Sequence, residues 1–249
     1  MSDYQFNMGP LRSAITIQFH THNATRLWTG RRKDGDGQDE IMGMPLFIDI
    51  MNQIKQASNQ DDPYADLWMI RMEEKLLDAR IKMHELYQKT EIIFKELPED
   101  ILIENCLSIQ PARFALYIRS QLAYICVYLL IDFDKLARQL HLAHHIAIIN
   151  RKQMRDWINS AGWLVRSVYG LAQRYRHSGV TRQDIIQNTA RAIEAKTKFG
   201  EIPEDVLAGT RRSTYASPIK KTELPTIAEN SEDDWPGLPD DDEESQDEV

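Results

Sequence analysis

Three groups of side chains in this sequence have the types and spacing to do chemistry. His141, His144 and His145 stand at steps of three and four, which on a helix brings imidazoles close enough to share a metal ion. His144, however, falls on an apolar stripe between Leu140 and Ala147, the usual place of a hydrogen-bonded core histidine, and no cysteine or nearby carboxylate completes a ligand set. Arg138 with His144 offers a second chemistry: the guanidinium would hold a scissile phosphate and the imidazole would act as general base. The third group is a row. In SAITIQFHT, Ser13 to Thr21, the side chains of Thr16, Gln18 and His20 alternate with Ile15, Ile17 and Phe19, as in a half-buried strand. Arg12 precedes the row, and Arg26, Arg31, Arg32 and Lys33 follow it. A two-stranded β-ribbon fits the major groove of double-stranded DNA, where such groups read base edges while Arg and Lys hold phosphates. One strand cannot do this alone, so the reading requires a partner strand, most simply from a second subunit. On pattern alone the row reads first as the polar outer face of an edge strand of the core sheet, and as a DNA-reading face second.

A further basic set comprises Arg151, Lys152, Arg155, Arg174, Arg176, His177 and Arg182. As phosphate contacts these would position a duplex without reading it, while Arg174 and Arg176 also suit the C-terminal end of a helix, where cations are favoured. No glycine-rich phosphate loop and no nucleophile-elbow motif is present. The GDG of the 34–40 stretch lacks the pattern of a calcium loop. No cofactor is implied.

The elements that must position these groups are mostly helices. Asn23 caps a short helix, ATRLWT, that Gly30 ends; RRKDGDGQDE is a charged loop; a helix runs from about Pro45 to Ala57. A long helix starts after Asp61-Asp62-Pro63 and ends before Pro98, with Trp68, Met72, Leu76, Ala79, Met83, Leu86 and Thr90 on one stripe. Three acid-before-base pairs, Asp78–Lys82, Glu85–Lys89 and Glu91–Lys95, decorate its other face. The apolar density of Arg113 to Tyr175 marks the main core. It predicts a hairpin, ARFALYI against LAYICVYLLI, then a helix from Asp132 and another that Asn150 and Gln153 open with a capping box and that carries Trp157 and Leu164. Thr181 with Asp184 opens a helix that Gly200 ends, and Pro203 to Ala208 forms a last short one. The fold class expected is α+β and mostly helical: a small antiparallel sheet with long helices. It makes one domain over residues 1–210, followed in 211–249 by a basic linker and a disordered acidic tail.

The net charge of −8 conceals this division. Residues 222–249 carry twelve acids and no base, so the body is net positive, and within it residues 34–134 sum to −10 and 135–221 to +10. Ordinary helix surfaces with a solubilising tail account for such asymmetry first, and a surface that faces a polyanion is the sharper reading. Two cysteines, Cys106 and Cys126, imply neither a disulfide framework nor a zinc ribbon. No basic stretch leading into an apolar one opens the chain, and the longest apolar run, Leu122 to Ile131, is far shorter than a membrane span. The compartment expected is cytoplasmic.

Five segments, GPLRSAITIQFHTHNATRLWTGR, DDPYADLW, YICVYLLIDFDKLARQLHLAHH, YRHSGVTRQD and GTRRSTYA, together resemble the AcaB family of transcriptional regulators, carried by integrating conjugative elements and large conjugative plasmids. The resemblance implies a sequence-specific DNA binder without catalytic activity, a homodimer, that activates genes of conjugative transfer. It also implies a ribbon-helix-helix-like element, best placed near 11–57, on strand 13–21 and helices 24–29 and 45–57. Thr16, Gln18 and His20 would then touch bases. Arg12, Arg31, Arg32 and Lys33 would hold phosphates, with Lys152, Arg155, Arg174 and Arg176 behind them. The intervening loop RRKDGDGQDE departs from the close helix succession of that fold. The hairpin predicted at 113–131, followed by two helices, is a second strand-helix-helix candidate, but its strands are too apolar to read bases and it ranks as core. Two alternatives stay beside this reading: a metal-independent helical ribonuclease using Arg138 and His144, and a non-catalytic structural protein of the conjugation machinery.

Overall fold

The computed structural model describes residues 15–31, 41–98, 100, 103–104 and 106–219. Arg12, Arg32, Lys33, the GDG stretch and the acidic residues 222–249 lie outside these.

The centre of the body is a helix, α4 (Gln121–His145), enclosed by α1 (His22–Thr29), α2 (Met44–Asn59), α3 (Pro63–Lys95) and α5 (Arg151–Ala172). This corrects the hairpin expected at 113–131. LAYICVYLLI is the first half of α4, and Leu122, Ala123, Cys126, Val127, Leu129 and Leu130 are all buried. A helix surrounded on nearly every side is apolar all round, so the run carries no clear helical stripe and its β-branched and aromatic content imitates a buried strand.

The strand that remains, β2 (Ala112–Leu116), pairs antiparallel with β1 (Ile15–Phe19), in the register Thr16 opposite Ala115 and Gln18 opposite Arg113. The ribbon's second strand, expected from a second subunit, is thus supplied by the same chain. The reason lies on its inner face. Phe114 stacks on Trp28 at 5.0 Å between ring centres, and Phe19 closes the cluster at 5.7 Å from Trp28. The second strand-helix-helix candidate, built on the 113–131 hairpin, disappears with that hairpin.

Caps follow the sequence with small shifts. Thr21, rather than Asn23, caps α1, accepting the Ala24 N–H at 3.2 Å. Asp62 caps α3 by accepting from Tyr64 and Ala65. The Asn150–Gln153 capping box opens α5. The single helix expected from Thr181 to Phe199 is two, α6 (Arg182–Ile186) and α7 (Ala190–Phe199). Asn188 takes φ 50°, which asparagine tolerates better than most residues, and Thr189 caps the new start. A last turn, α8 (Glu204–Leu207), follows. On α3 only one of the three expected ion pairs closes among the described residues, Lys82–Asp78 at 2.8 Å. Thr90, the polar member of the α3 stripe, donates its hydroxyl to the Tyr87 carbonyl and to Gln139 of α4. No helix among the described residues is long and apolar enough to cross a membrane.

Candidate nucleic-acid interface

Burial along β1 separates its two faces. Ile17 and Phe19 are buried, while Thr16 and Gln18 are exposed. Cross-strand neighbours share a face, so Arg113 and Ala115, both exposed, join them in one outward row. Arg113 was missed by sequence reasoning, which assigned 113–131 to the core. The alternation of Arg113, Ala115 and Tyr117 with Phe114 and Leu116 was the signal that could have found it.

His20 lies just past the strand and is half-buried. Its backbone N–H donates to Asp134 at 3.2 Å, and its ring Nδ1 accepts the Ser108 N–H at 3.1 Å. That bond leaves Nε2 as the protonated nitrogen of the neutral ring. Asp134 is 3% exposed and also accepts the Thr21 N–H at 2.9 Å and the Thr21 hydroxyl at 2.7 Å. Arg138 approaches the same carboxylate at 3.4 Å. One buried acid of α4 therefore sets the turn from β1 into α1, and with it the aim of the ribbon. Thr21 and Asp134 belong to two of the segments that carry the family resemblance.

Beyond α1, Arg31 and Ile41 exchange two backbone hydrogen bonds of 2.8 Å, tying together the ends of the 32–40 stretch. Gly43 makes this closure possible, since a Cβ there would stand 2.5 Å from the Trp28 carbonyl oxygen. The order strand, helix, helix is thus kept across the charged insertion.

The remaining basic residues divide between the ends of α5, a helix of 22 residues and so roughly 33 Å long. Lys152 and Arg155 are exposed in its first turns, near Ile158 and Asn159, which face α1. Arg174 and Arg176 lie at the far end, where Tyr175 meets Trp68 edge-on at 6.0 Å. Arg176 donates to the carbonyls of Gln173 and Tyr175, the ordinary work of a cation at a helix C-terminus. Arg182 is no phosphate ligand. Its guanidinium is 8% exposed and pairs with Asp61 and Asp66, because it packs α6 against the start of α3.

Asp66 is the second buried acid on which the fold depends. It is fully buried and accepts from Arg182, from Ser58 and, in bidentate fashion, from Arg212 at 2.8 and 3.0 Å. Burial alone would push its pKa up, but the bonds from Arg212, Ser58 and Arg182 prevail and hold it below the usual carboxylate range. Neighbouring Asp62 goes the other way. Burial raises it, against opposing bonds from Ser178 and the Ala65 and Tyr64 N–H groups. DDPYADLW, YRHSGVTRQD and GTRRSTYA converge here, and residues 211–217, expected as an irregular linker, pack on the body through Arg212.

The ribonuclease pair is not brought together. Arg138 lines a cleft with Glu104 and Gln139, whereas the Nδ1 of His144 lies 3.2 Å from the Ile149 carbonyl at the α4–α5 turn. Nor do the three histidines make a metal site: His141 lies 3.5 Å from Asn23, and no cluster of His, Cys, Asp or Glu fit to hold a metal occurs among the described residues.

Among known proteins, the pattern of the family described as "Transcriptional regulator AcaB" matches residues 7–220. A solved structure, that of selenomethionine-containing AcaB from uropathogenic E. coli, is 12% identical, with a TM-score of 0.46, over 81% of this chain and 97% of that chain. No curated protein matches the chain.

Proposed function

Since the chain belongs to the AcaB family of transcriptional regulators, we propose that it binds double-stranded DNA sequence-specifically and activates genes of conjugative transfer, reading bases with the outer face of the β1–β2 ribbon. The observation that carries this is the pairing of Gln18 with Arg113 on an exposed two-stranded face. Glutamine can bond adenine in bidentate fashion, and arginine can do so with guanine. Thr16 reaches either kind of edge, and the Ala115 methyl suits a thymine methyl. Arg31 holds a phosphate beside the ribbon, a role that the sequence pattern extends to Arg12, Arg32 and Lys33. Lys152 and Arg155, on the α1 side of α5, extend the footprint. Arg174 and Arg176 stand too far off to share it and contact DNA only if the duplex bends around the body.

This form of the reading needs no second chain to complete the ribbon. A homodimer enters for another reason: five residues of strand cover about 17 Å, or about five base pairs, too few for a unique operator. Two copies on a two-fold operator double that length.

The test is fluorescence anisotropy on the element's own regulatory DNA, located first by footprinting, beside random DNA of equal length. Gln18→Ala and Arg113→Ala should each weaken the cognate complex by about 1–3 kcal/mol and leave random DNA nearly unchanged. Arg31→Ala should weaken both and flatten the salt dependence. Equal losses on the two DNAs for both ribbon variants would remove the ribbon from base reading.

A further inference from the structure

The core does not use up α3. Its buried stripe, Leu76, Ala79, Met83 and Thr90, faces α4 and α5. One position on runs a second stripe, Leu77, Ile81, His84, Gln88 and Ile92, every member exposed. Steps of four and three are those of a seam between two helices. Leu77, Ile81 and Ile92 are each more than half exposed, and helical spacing sets them in one row. Apolar side chains scattered singly over a surface would need no explanation, but a row does. Beside it, between α3 and α4, lies a groove of about 650 Å³, lined by Leu77, Ile81, Met83 and Tyr87 and edged by Arg80, Glu91, Asp132 and Lys135. With two cations and two carboxylates on its rim, the groove draws no polyanion. It suits a partner that carries an apolar ridge and both signs of charge, and α3 itself is such a partner.

A two-fold axis passing α3 at the level of Leu86 makes this face self-complementary. Ile81 lies five residues before that level and Ile92 six after it, so in an antiparallel crossing Ile81 of each copy stands beside Ile92 of the other. Arg80, six before, and Glu91, five after, meet in the same way. Within one chain these two are eleven residues apart, roughly 16 Å along the helix axis, too far to pair. Neither has an ion pair among the described residues. His84 and Gln88, hydrogen-bonded to each other at 2.9 Å, sit at the middle of the seam. Polar groups at such positions fix the register at some cost in strength.

We propose that this face joins two copies of the chain, α3 packing antiparallel on α3 about a two-fold axis, the ridge of each copy against the groove of the other. On the α4 wall Tyr128, half exposed one turn before Asp132, widens the contact. Residues 77–92 cover about 24 Å of helix, so the seam belongs to the small, reversible class of contacts, under about 1,200 Å² in all. No residue of the seam belongs to β1, β2 or α1. The contact supplies the second copy that a two-fold operator needs, but it does not rest on the ribbon reading, because it forms and is measured without DNA.

The experiment is sedimentation velocity of the full chain, without DNA, across the micromolar range. Wild type should pass reversibly from monomer to dimer. Ile81→Glu should weaken the dimer at least about tenfold, whereas Ile193→Glu, on the exposed face of α7, should leave it unchanged. Arg80→Glu and Glu91→Arg should each weaken it severalfold, since each sets like charges against one another. Mixed in equal amounts, these two variants should form a heterodimer of wild-type strength, because each copy then offers the sign the other lacks. All four positions are exposed, so melting temperatures should stay close to wild type. A wild type that stays monomeric, a dimer indifferent to Ile81→Glu, or charge variants no stronger mixed than alone would each overturn the proposal. Failure of the ribbon reading would show instead in the DNA affinity of Gln18→Ala, with the dimer intact.

Discussion

Replacing Asp66 by asparagine tests the buried ion cluster most directly. The substitution keeps shape and removes one negative charge from a site where the acid is 0% exposed and its partners Arg182 and Arg212 are 8% and 13% exposed. In the native cluster Asp61 and Asp66 balance the two guanidiniums. In the Asp66→Asn variant one positive charge is left over, where water reaches it poorly. The amide can still accept on one oxygen, but its NH2 faces a guanidinium donor. Breaking a buried pair from one side costs about 3–5 kcal/mol, a large part of the stability of an ordinary domain. Urea denaturation should show the midpoint falling with an unchanged m-value. Asp66→Asn with Arg212→Met restores the charge balance, so the double variant should lose less than the sum of the singles, by about 0.5–3 kcal/mol. A cost below about 1 kcal/mol for Asp66→Asn, or strict additivity in the double variant, would refute the cluster as a stabilising unit. The cluster gives no side chain to the ribbon's outer face, so DNA affinity measured well below the melting temperature should stay close to wild type.

The same cluster sets an acid profile. Asp62 is raised, so its contribution is full below its unfolded pKa and is lost as pH rises through the folded value; acidification from about pH 7 relieves it. Asp66 is lowered, so its contribution holds above the usual 3.8 and is lost as pH falls through its folded value. Stability should therefore hold steady or rise slightly on mild acidification and collapse only below the usual carboxylate range. Asp66→Asn should remove that final loss in denaturation midpoints measured against pH. Asp134→Asn should cost about 1.5–3 kcal/mol, the range for hydrogen bonds to a charged group. Unlike Asp66→Asn it should also weaken cognate DNA binding in anisotropy, since it frees the β1–α1 turn. Gly43→Ala should destabilise by about 1–3 kcal/mol in thermal melts, because its Cβ meets backbone at Trp28 and no flexible side chain can yield.

Period and capping made most helices legible: α2, α3, the box that opens α5 and the stop at Gly200 all lie within a few residues of their sequence signals. The errors came where burial erased the period. Leu122 to Leu130 is buried on too many sides to show a stripe, so the central helix passed for a strand, and Ala112–Leu116 was given the wrong partner. That single misreading also hid Arg113, whose meaning depends wholly on standing opposite Gln18. Arg182 was misjudged for a related reason. Charge in a sequence carries no sign of burial, and only the return of residues 182 and 212 to Asp66 separates a structural arginine from a phosphate ligand.

A division of labour follows from where the family's segments land. Asp134 with Thr21, and Asp66 with Arg182 and Arg212, join all five segments in two groups through buried charge. A buried carboxylate that loses its partners is costly, whereas an exposed side chain on a ribbon costs little to change. Residues that hold the body together can thus mark the family without reading DNA. Thr16, Gln18, Arg113 and Ala115 are exposed on the outer face of a ribbon whose inner face is fixed by Trp28 and Phe114. Exchanging any of them should cost the fold little. On the ribbon reading, exchanging those four side chains between two members of the family should exchange operator preference in competitive footprinting, with melting temperatures little moved. Operator preference that stays with the scaffold would place base reading elsewhere on the molecule.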